Sequence, residues 1–223
     1  MLRTTRSSAV RERTATINQI KAMLVAGPAA LRACYQGLSN SKLTARLLAT
    51  RPSRTPVTAE EATRYALRIL ARRWQMLAEQ IQDLTAHLDR LLGEHAPDLM
   101  AVFGTGPDTI AQLLITAGDN PEMLHSEPAF AALTGTCPIP ASSGKTNRHR
   151  LNRAGDRQAN SALYRIAIVR MRYDQSTREY VQRRTAEGKT KMEIIRCIKR
   201  YIARQLYPLI RDTLQPLQQV LAA

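Results

Sequence analysis

The chain has 223 residues, of which 33 are Lys or Arg and 18 are Asp or Glu, so its formal net charge is +15. This length and a hydrophobic content of 44% suit one large domain or two small ones, and exclude a chain disordered by composition. An aromatic content of 4% argues against a single-strand binder built on aromatic stacking platforms. The absence of a long apolar run excludes a membrane span, and three widely spaced cysteines suggest a reducing, cytoplasmic setting.

The positive charge is concentrated in two basic blocks. Residues 1–64 carry a net charge of +8 and residues 141–211 carry +13, whereas residues 65–140 carry −5. A basic helix face is often no more than a solvated surface. A block as dense as the second one indicates a polyanionic partner, because phosphate contacts supply affinity without sequence choice.

The N-terminal part predicts two helices separated by helix-breaking residues. A basic helix is expected over about residues 8–26, and Gly27-Pro28 ends it. Its apolar face carries Val10, Ile17, Ile20 and Leu24. A short helix is expected over residues 42–49, and the proline-containing segment 50–57 is a connection.

A long helix with a heptad pattern follows this connection. Thr58 and Glu61 form a capping box at its start, and we expect it to run to about Leu92 and stop at Gly93. A spacing of four and three residues, typical of a coiled coil, relates Leu70, Trp74, Leu77, Ile81, Leu84, Leu88 and Leu91. Two interpretations stay open, a coiled coil (dimeric or intramolecular) and an amphipathic helix in a bundle. The chain is therefore expected to have three parts. These are basic N-terminal helices with a linker (1–57), the heptad helix (58–96) and a C-terminal domain with the loop and basic helices (97–223).

The next feature is a small-residue turn, Gly104-Thr105-Gly106, ahead of Pro107 at a first helical position. It resembles the hairpin of helix-hairpin-helix modules, in which turn amides meet a phosphate at a helix N-terminus. Gly104 and Gly106 are therefore candidate nucleic-acid contacts. A tight turn between two helices with no such role explains the same residues.

The remaining sequence predicts more helices around one loop. Ser126 caps a helix over 127–133, and residues 136–148 form an irregular, proline-broken loop. Further helices are expected over about 156–173 and 176–187, the second opened by a Ser176–Glu179 capping box. A last helix starts at Thr190, with Glu193 completing its box; it buries four isoleucines and, with them, Tyr201. The fold class is mainly α, a heptad helix followed by a compact helical domain.

The chemistry-bearing residues lie in and after the irregular loop. The four histidines do not pair with Cys or carboxylates at metal-ligand spacing, so no metal site is expected in this chain. A serine hydroxyl can attack a phosphodiester when nearby cations stabilise the developing charge. Ser142-Ser143 is followed by such cations: Lys145, Arg148, Arg150, Arg153 and Arg157. Serine and glycine are also ordinary loop residues, so the spacing alone does not establish catalysis.

Three stretches of the chain, 10–24, 103–172 and 180–207, resemble the insertion-sequence 110/116/902 transposases, which are RNA-guided DNA recombinases. The most specific part is residues 130–172, which contain the loop CPIPASSGKTNRHR and the basic run after it. The resemblance implies that Ser143 is the nucleophile, with Ser142 as the fallback, and that Arg148, Arg150 and Arg153 contact phosphate. It also implies DNA and a guide RNA as partners, and a homodimer formed through the heptad helix.

Members of this family begin with a resolvase-like domain that carries four metal-binding carboxylates, and the chain starts where that domain ends. The resemblance therefore places the divalent metal, Mg²⁺, outside this chain. It implies a truncated transposase, associated with the nucleoid, that does not recombine DNA alone. The alternatives are a non-catalytic, basic coiled-coil module that binds nucleic acid, and a helical adaptor for another protein.

Overall fold

The structure, a computed structural model, describes residues 1–53, 55–141, 149–150 and 152–222, with side chains up to residue 215. These residues are mostly helical and include only one short ribbon of strands, which confirms the mainly α fold class. They form two compact units, Met1–His87 and Leu88–Ala223, named here the N-terminal and C-terminal units. No helix in the described part of the chain is long and apolar enough to cross a membrane.

The N-terminal unit packs four helices around one apolar core. They are α1 (Leu2–Ala26), α2 (Ala29–Tyr35), α3 (Asn40–Ala49) and the first part of α4 (Ala59–His95). The core buries Ile17, Ile20, Leu24, Leu31, Tyr35, Leu43, Leu47, Leu67 and Ala71. Three residues of the face predicted for α1, Ile17, Ile20 and Leu24, are therefore buried as expected. The sequence did not predict α2, whose buried residues are only Leu31 and Tyr35.

Helices α1 and α4 run antiparallel along each other. Near the start of α1, Arg6 Nε donates to Thr85 Oγ1 at 2.7 Å. Further along, Glu12 pairs with Arg73 at 3.4 Å, and the Arg13 guanidinium lies 5.7 Å from the centre of the Trp74 ring. Residue numbers that rise on one helix and fall on the other fix the antiparallel direction. Helix α1 starts at Leu2, earlier than the predicted residue 8, and Arg6 in this extra turn already contacts α4.

The heptad positions of α4 contact residues of the same chain. Leu77 and Ile81 are buried against Ala9 of α1, and Leu70 and Trp74 border the core of the N-terminal unit. The predicted capping box is confirmed: Glu61 N donates to Thr58 Oγ1, and Thr58 N donates to Glu61 Oε2, both at 3.2 Å. The predicted stop at Gly93 is wrong, because the helix continues to His95. A coiled-coil dimer stays a prediction.

The C-terminal unit contains the end of α4 and the remaining elements. These are α5 (Pro97–Ala101), α6 (Pro107–Gly118), a 3₁₀ helix (Pro121–Leu124), α7 (Glu127–Leu133), α8 (Arg157–Tyr173), α9 (Gln175–Ala186) and α10 (Lys191–Ala222). Helix α8 packs against α6, α9 and α10, and α10 also covers α7. Fully buried side chains at the centre include Ile110, Leu113, Phe130, Leu163, Ile166, Ile194 and Ile195. The predicted cap at Ser126 is confirmed, since Ala129 N donates to its Oγ at 3.3 Å.

Helix α9 starts one residue earlier than predicted, and a different residue caps it. Asp174, not Ser176, caps the helix, because its Oδ2 accepts from Thr177 N at 2.9 Å. Ser176 Oγ also donates to Asp174 at 2.8 Å, and Glu179 accepts instead from Gln175. The Thr190–Glu193 box at the start of α10 is confirmed.

Replacing Asp174 with alanine is expected to lower the free energy of unfolding by about 1 kcal/mol, because the first turn of α9 loses its acceptor. Hydrogen bonds from Thr177 and Ser176 hold the pKa of Asp174 below its ordinary 3.8. The stabilisation is therefore complete above the unfolded-state pKa and is lost as pH falls through the lower folded-state pKa. The pH midpoints of acid unfolding of wild type and of Asp174→Ala measure this pH dependence.

The control is Asp174→Asn, which still accepts from the amide but does not titrate. Wild type should lose stability more steeply than Asp174→Asn below about pH 4. Parallel pH profiles would contradict the assignment.

A short antiparallel ribbon and a backbone closure define the region between α7 and α8. The ribbon pairs β1 (Ile139–Pro140) with β2 (His149–Arg150), inside the region predicted as irregular loop and beginning of basic run. Gly155 lies against Gly135, so close that a Cβ on Gly155 would stand 2.2 Å from Gly135 N. Asp156 N donates to Leu133 O at 2.7 Å beside this contact. The residues that follow α7 and those that precede α8 are therefore in direct backbone contact.

Candidate nucleic-acid interface

The sequence-predicted site residues are only partly within the described structure. Ser142, Ser143, Lys145 and Arg148 lie outside the described residues. Arg150 is exposed on β2, and Arg153 and Arg157 are exposed between β2 and the first turn of α8. The segment that contains the two serines therefore joins β1 to β2, and the surroundings of this ribbon define the candidate site.

A cleft of about 650 Å³ lies beside the ribbon. Its walls come from residues after α7, from β2, from the end of α9 and from the first turns of α10. Among the residues that the structure describes, the lining has two carboxylates, Glu187 and Glu193, and a larger set of cations: Arg150, Arg184, Lys189, Arg196, Lys199, Arg200 and Arg204. This excess of positive charge in a concave surface favours an anionic ligand.

Lys199 is the most buried of these cations, with 5% of its surface exposed. Its Nζ donates to Asn160 Oδ1 at 2.7 Å, and among the described residues it has no carboxylate at ion-pair distance. Asn160 is held in turn, because its Nδ2 donates to Thr134 O at 2.8 Å and Gly135 O at 3.1 Å. Burial lowers the pKa of Lys199, and the neighbouring Arg196 lowers it further. An anion in the cleft would offset both effects.

Two of the remaining arginines connect α10 to other elements that line the cleft or lie beside it. Arg196 Nη2 approaches His149 O at 3.5 Å, which links α10 to the ribbon. Arg200 pairs with Glu127 of α7, with Nη2 and Oε2 2.7 Å apart. Arg200 is therefore neutralised within the protein, while Arg196 has no carboxylate partner among the described residues.

Comparison with known proteins places a resemblance in the middle of the chain. Residues 96–182 match the model of the Transposase IS116/IS110/IS902 family. Over this segment the chain is similar to that family. It is similar to an uncharacterized 43.6 kDa protein of insertion element IS110 from Streptomyces coelicolor, with 32% identity over 140 residues, 60% of this chain and 34% of that protein.

A second relative is an uncharacterized 42 kDa protein of insertion element IS900 from Mycobacterium paratuberculosis. It is 27% identical over 146 residues, which are 64% of this chain and 37% of that protein. The chain thus spans about a third of the length of the curated relatives it matches. The segment shared with the IS116/IS110/IS902 family contains α5 to α8, the ribbon and the first half of α9, whereas α10 lies beyond it.

The family-matched turn before α6 is internally hydrogen bonded. Gly106 N donates to Thr109 Oγ1 at 2.9 Å, and Gly104 has a left-handed φ of +84°. A Cβ on Gly104 would lie 3.1 Å from Arg170 Cγ, so this glycine permits close packing of the turn against α8. These contacts describe a tight interhelical turn, and a phosphate contact by Gly104 and Gly106 stays a prediction.

An aromatic pair lies on the α9–α10 side of the cleft, and the sequence did not predict its position. Tyr201 was expected to be buried and instead is 55% exposed. Its ring stands edge-on to that of Tyr180, with centroids 5.8 Å apart and an interplanar angle of 87°. Arg183 and Arg184 lie 5.5 and 5.6 Å from the Tyr180 ring centre. Burial and the adjacent Cys197 raise the pKa of Tyr180 to about 12, so its hydroxyl stays protonated at neutral pH.

Proposed function

We propose that this chain is part of a transposase that moves an insertion sequence by recombining DNA, and that Ser143 attacks a phosphodiester of that DNA. The observation that carries the proposal is the family match over residues 96–182, which includes the two serines. Ser142 is the alternative nucleophile, because the doubled serine leaves a one-residue ambiguity. Both serines lie between β1 and β2, and the cleft beside that ribbon is basic.

The proposed step is a substitution at phosphorus. The serine Oγ loses its proton and forms a bond to phosphorus, and the bond from phosphorus to the departing strand breaks. The oxygen of the departing strand then takes up a proton. Negative charge grows on the phosphoryl oxygens during this step, and fixed cations stabilise such charge when water is excluded. Arg148, Arg150 and Arg153 are the proposed phosphate contacts.

The proposal includes partners and a metal beyond this chain. The DNA partner and a guide RNA follow from the family resemblance, as does a dimer formed through the heptad positions of α4. In the described part of the chain no group of three or more His, Cys, Asp or Glu side chains could hold a metal ion. The family resemblance, and not this absence, is the reason that we assign the divalent metal, Mg²⁺, to the four-carboxylate domain that the resemblance implies, and Ser143 to this chain.

Strand exchange with the four-carboxylate domain supplied in trans, together with DNA and guide RNA, tests this function. Ser143→Ala should lower the exchange rate by about 10³-fold or more, because no other group replaces the nucleophile. Ser161→Ala, an exposed position on α8, is the matched control and should leave exchange unchanged. Exchange that survives in Ser143→Ala and in Ser142→Ala would reject the serine mechanism.

A second function, binding without chemistry, is supported by the cationic cleft, whose α10 residues lie outside the family match. A non-catalytic module would bind nucleic acid with an affinity that falls steeply as salt rises, because phosphate contacts release counterions. It would show no strand exchange under the conditions of the previous experiment. Exchange activity therefore separates the two functions.

A further inference from the structure

The cleft contains two kinds of side chain that the serine mechanism does not use. Lys199 and Arg196, one turn apart on α10, bring two cations to its inner surface without a carboxylate bound to either among the described residues. Tyr201 on the same helix adds an exposed aromatic ring to the lining. A phosphate needs the first kind of group, and a nucleobase can stack on the second.

The cations are arranged for a phosphate rather than for solvent. A buried lysine pays a desolvation cost that one neutral hydrogen bond does not recover. Here Asn160 accepts from Lys199 Nζ, which has two further donors, while Arg196 raises the local positive charge. A phosphodiester oxygen between these two side chains would supply the missing acceptor and the missing negative charge.

The tyrosine is held in place beside them. Tyr180 has Arg183 and Arg184 beside its ring and meets Tyr201 edge-on, so the Tyr201 ring packs against a neighbour of its own chain. With 55% of its surface exposed, Tyr201 retains open ring area for contact with a base. The guanidinium groups around Tyr180 also add positive charge to this side of the cleft.

The cleft is large enough for a single strand and too small for a duplex. A volume of about 650 Å³ is in the range of pockets that hold small ligands, so it suits one or two nucleotides and not the width of a double helix. A base inside a duplex also keeps its faces stacked on its neighbours. Contact with Tyr201 therefore requires an unpaired base.

We propose that this cleft binds an unpaired nucleic-acid strand, with phosphates on Lys199 and Arg196 and one base stacked on Tyr201. This site uses one exposed ring and mainly cations, so it differs from the platform of several aromatic side chains that the composition argues against. The inference rests on the proposed function only in taking nucleic acid as the polyanion. It adds a binding site on α10, outside the residues that match the family, and it assigns the site to single-stranded rather than paired regions of the partner.

Fluorescence anisotropy on the whole chain tests the site. The probes are a labelled 12-nucleotide DNA strand, the RNA strand of the same sequence, and the blunt DNA duplex. Tyr201→Ala should weaken binding of the single strands by roughly tenfold, and Tyr201→Phe should not, because phenylalanine keeps the stacking ring. Comparison of the DNA and RNA strands identifies which one the cleft prefers.

The cation contacts have their own variants. Lys199→Met and Arg196→Gln should each weaken single-strand binding several-fold and reduce the slope of log affinity against log salt by about 0.7, the value for one phosphate contact. Arg178→Gln removes the same charge from an exposed position of α9 that is not among the cleft-lining residues, and should have a smaller effect on both. Thermal melts establish that Lys199→Met is folded, and Arg196→Gln gives the same test at a less buried position.

The inference is overturned if the duplex binds as tightly as the single strands, if Tyr201→Ala binds like wild type, or if Arg178→Gln weakens binding as much as Arg196→Gln. These outcomes are separate from those of strand exchange. If exchange survives in Ser143→Ala and in Ser142→Ala while single-strand binding follows the prediction, the serine mechanism is rejected and the cleft assignment stays intact. If the wild-type chain exchanges strands as predicted but the cleft variants bind single strands like wild type, only the cleft assignment is rejected.

Discussion

Replacing Gly155 with alanine is expected to lower the free energy of unfolding of the C-terminal unit by about 3 kcal/mol or more. The added Cβ would stand 2.2 Å from Gly135 N, 2.4 Å from Gly135 Cα and 2.8 Å from Ala132 O. All three atoms belong to the backbone, so no side chain can rotate away to make room. Relief requires separation of the two segments, which also breaks the hydrogen bond from Asp156 N to Leu133 O.

The measurement is urea unfolding followed by hydrogen exchange in α8, with Trp74 fluorescence as an internal reference. Trp74 is the single tryptophan and lies in the N-terminal unit, so its fluorescence reports on that unit. Gly93→Ala is the matched control, since a Cβ there meets nothing within 4 Å and α4 is helical at that point. It should raise stability by about 0.5–1 kcal/mol. An unchanged stability in Gly155→Ala would contradict the close contact.

Replacing Phe130 with alanine should cost about 3–5 kcal/mol, since it leaves a large cavity in a packed core. Phe130 is fully buried on α7, and its ring centre lies 5.9 Å from that of Tyr207 on α10. Tyr207 is anchored at its other end, where its hydroxyl donates to Leu124 O at 2.8 Å. Since this anchor keeps α10 from moving inward, we expect the cavity to close only in part.

The chain offers an internal control for this substitution. Phe103 is its second phenylalanine and is 53% exposed, so Phe103→Ala should change stability by less than about 0.5 kcal/mol. The contact of Phe103 with α8 uses its backbone oxygen, which the substitution keeps. Equal losses in Phe130→Ala and Phe103→Ala, measured in the same urea titration, would show that α7 does not lie in the core.

Helix starts marked by a side chain and a glutamate three residues later could be predicted from the sequence, as at Thr58 and Thr190. The cap of α9 was harder, because Asp174 and Ser176 lie two residues apart and both precede a helical segment. Helix α2 was missed because it has only two buried positions, too few to define a period. Gly93 did not end α4, since one glycine inside a long helix costs only about 1 kcal/mol.

The candidate site was predictable only where its residues adjoin in sequence. The serine loop and its following arginines form one contiguous stretch, whereas Lys199 and Arg196 sit within a generally basic α10. Nothing in that helix distinguishes a buried lysine from a solvated one. The distinction comes from Asn160, 39 positions earlier, which is brought to Lys199 by the packing of α8 against α10.

The contact between Gly135 and Gly155 determines which part of this chain can change in length. Since the two ends of the segment between α7 and α8 are joined at the backbone, the helices on either side do not depend on the length of chain between them. Doubling the length of a closed loop costs only about 0.6 kcal/mol in entropy. Insertions and deletions between β1 and β2 should therefore leave the packing of α7 and α8 against α10 unchanged.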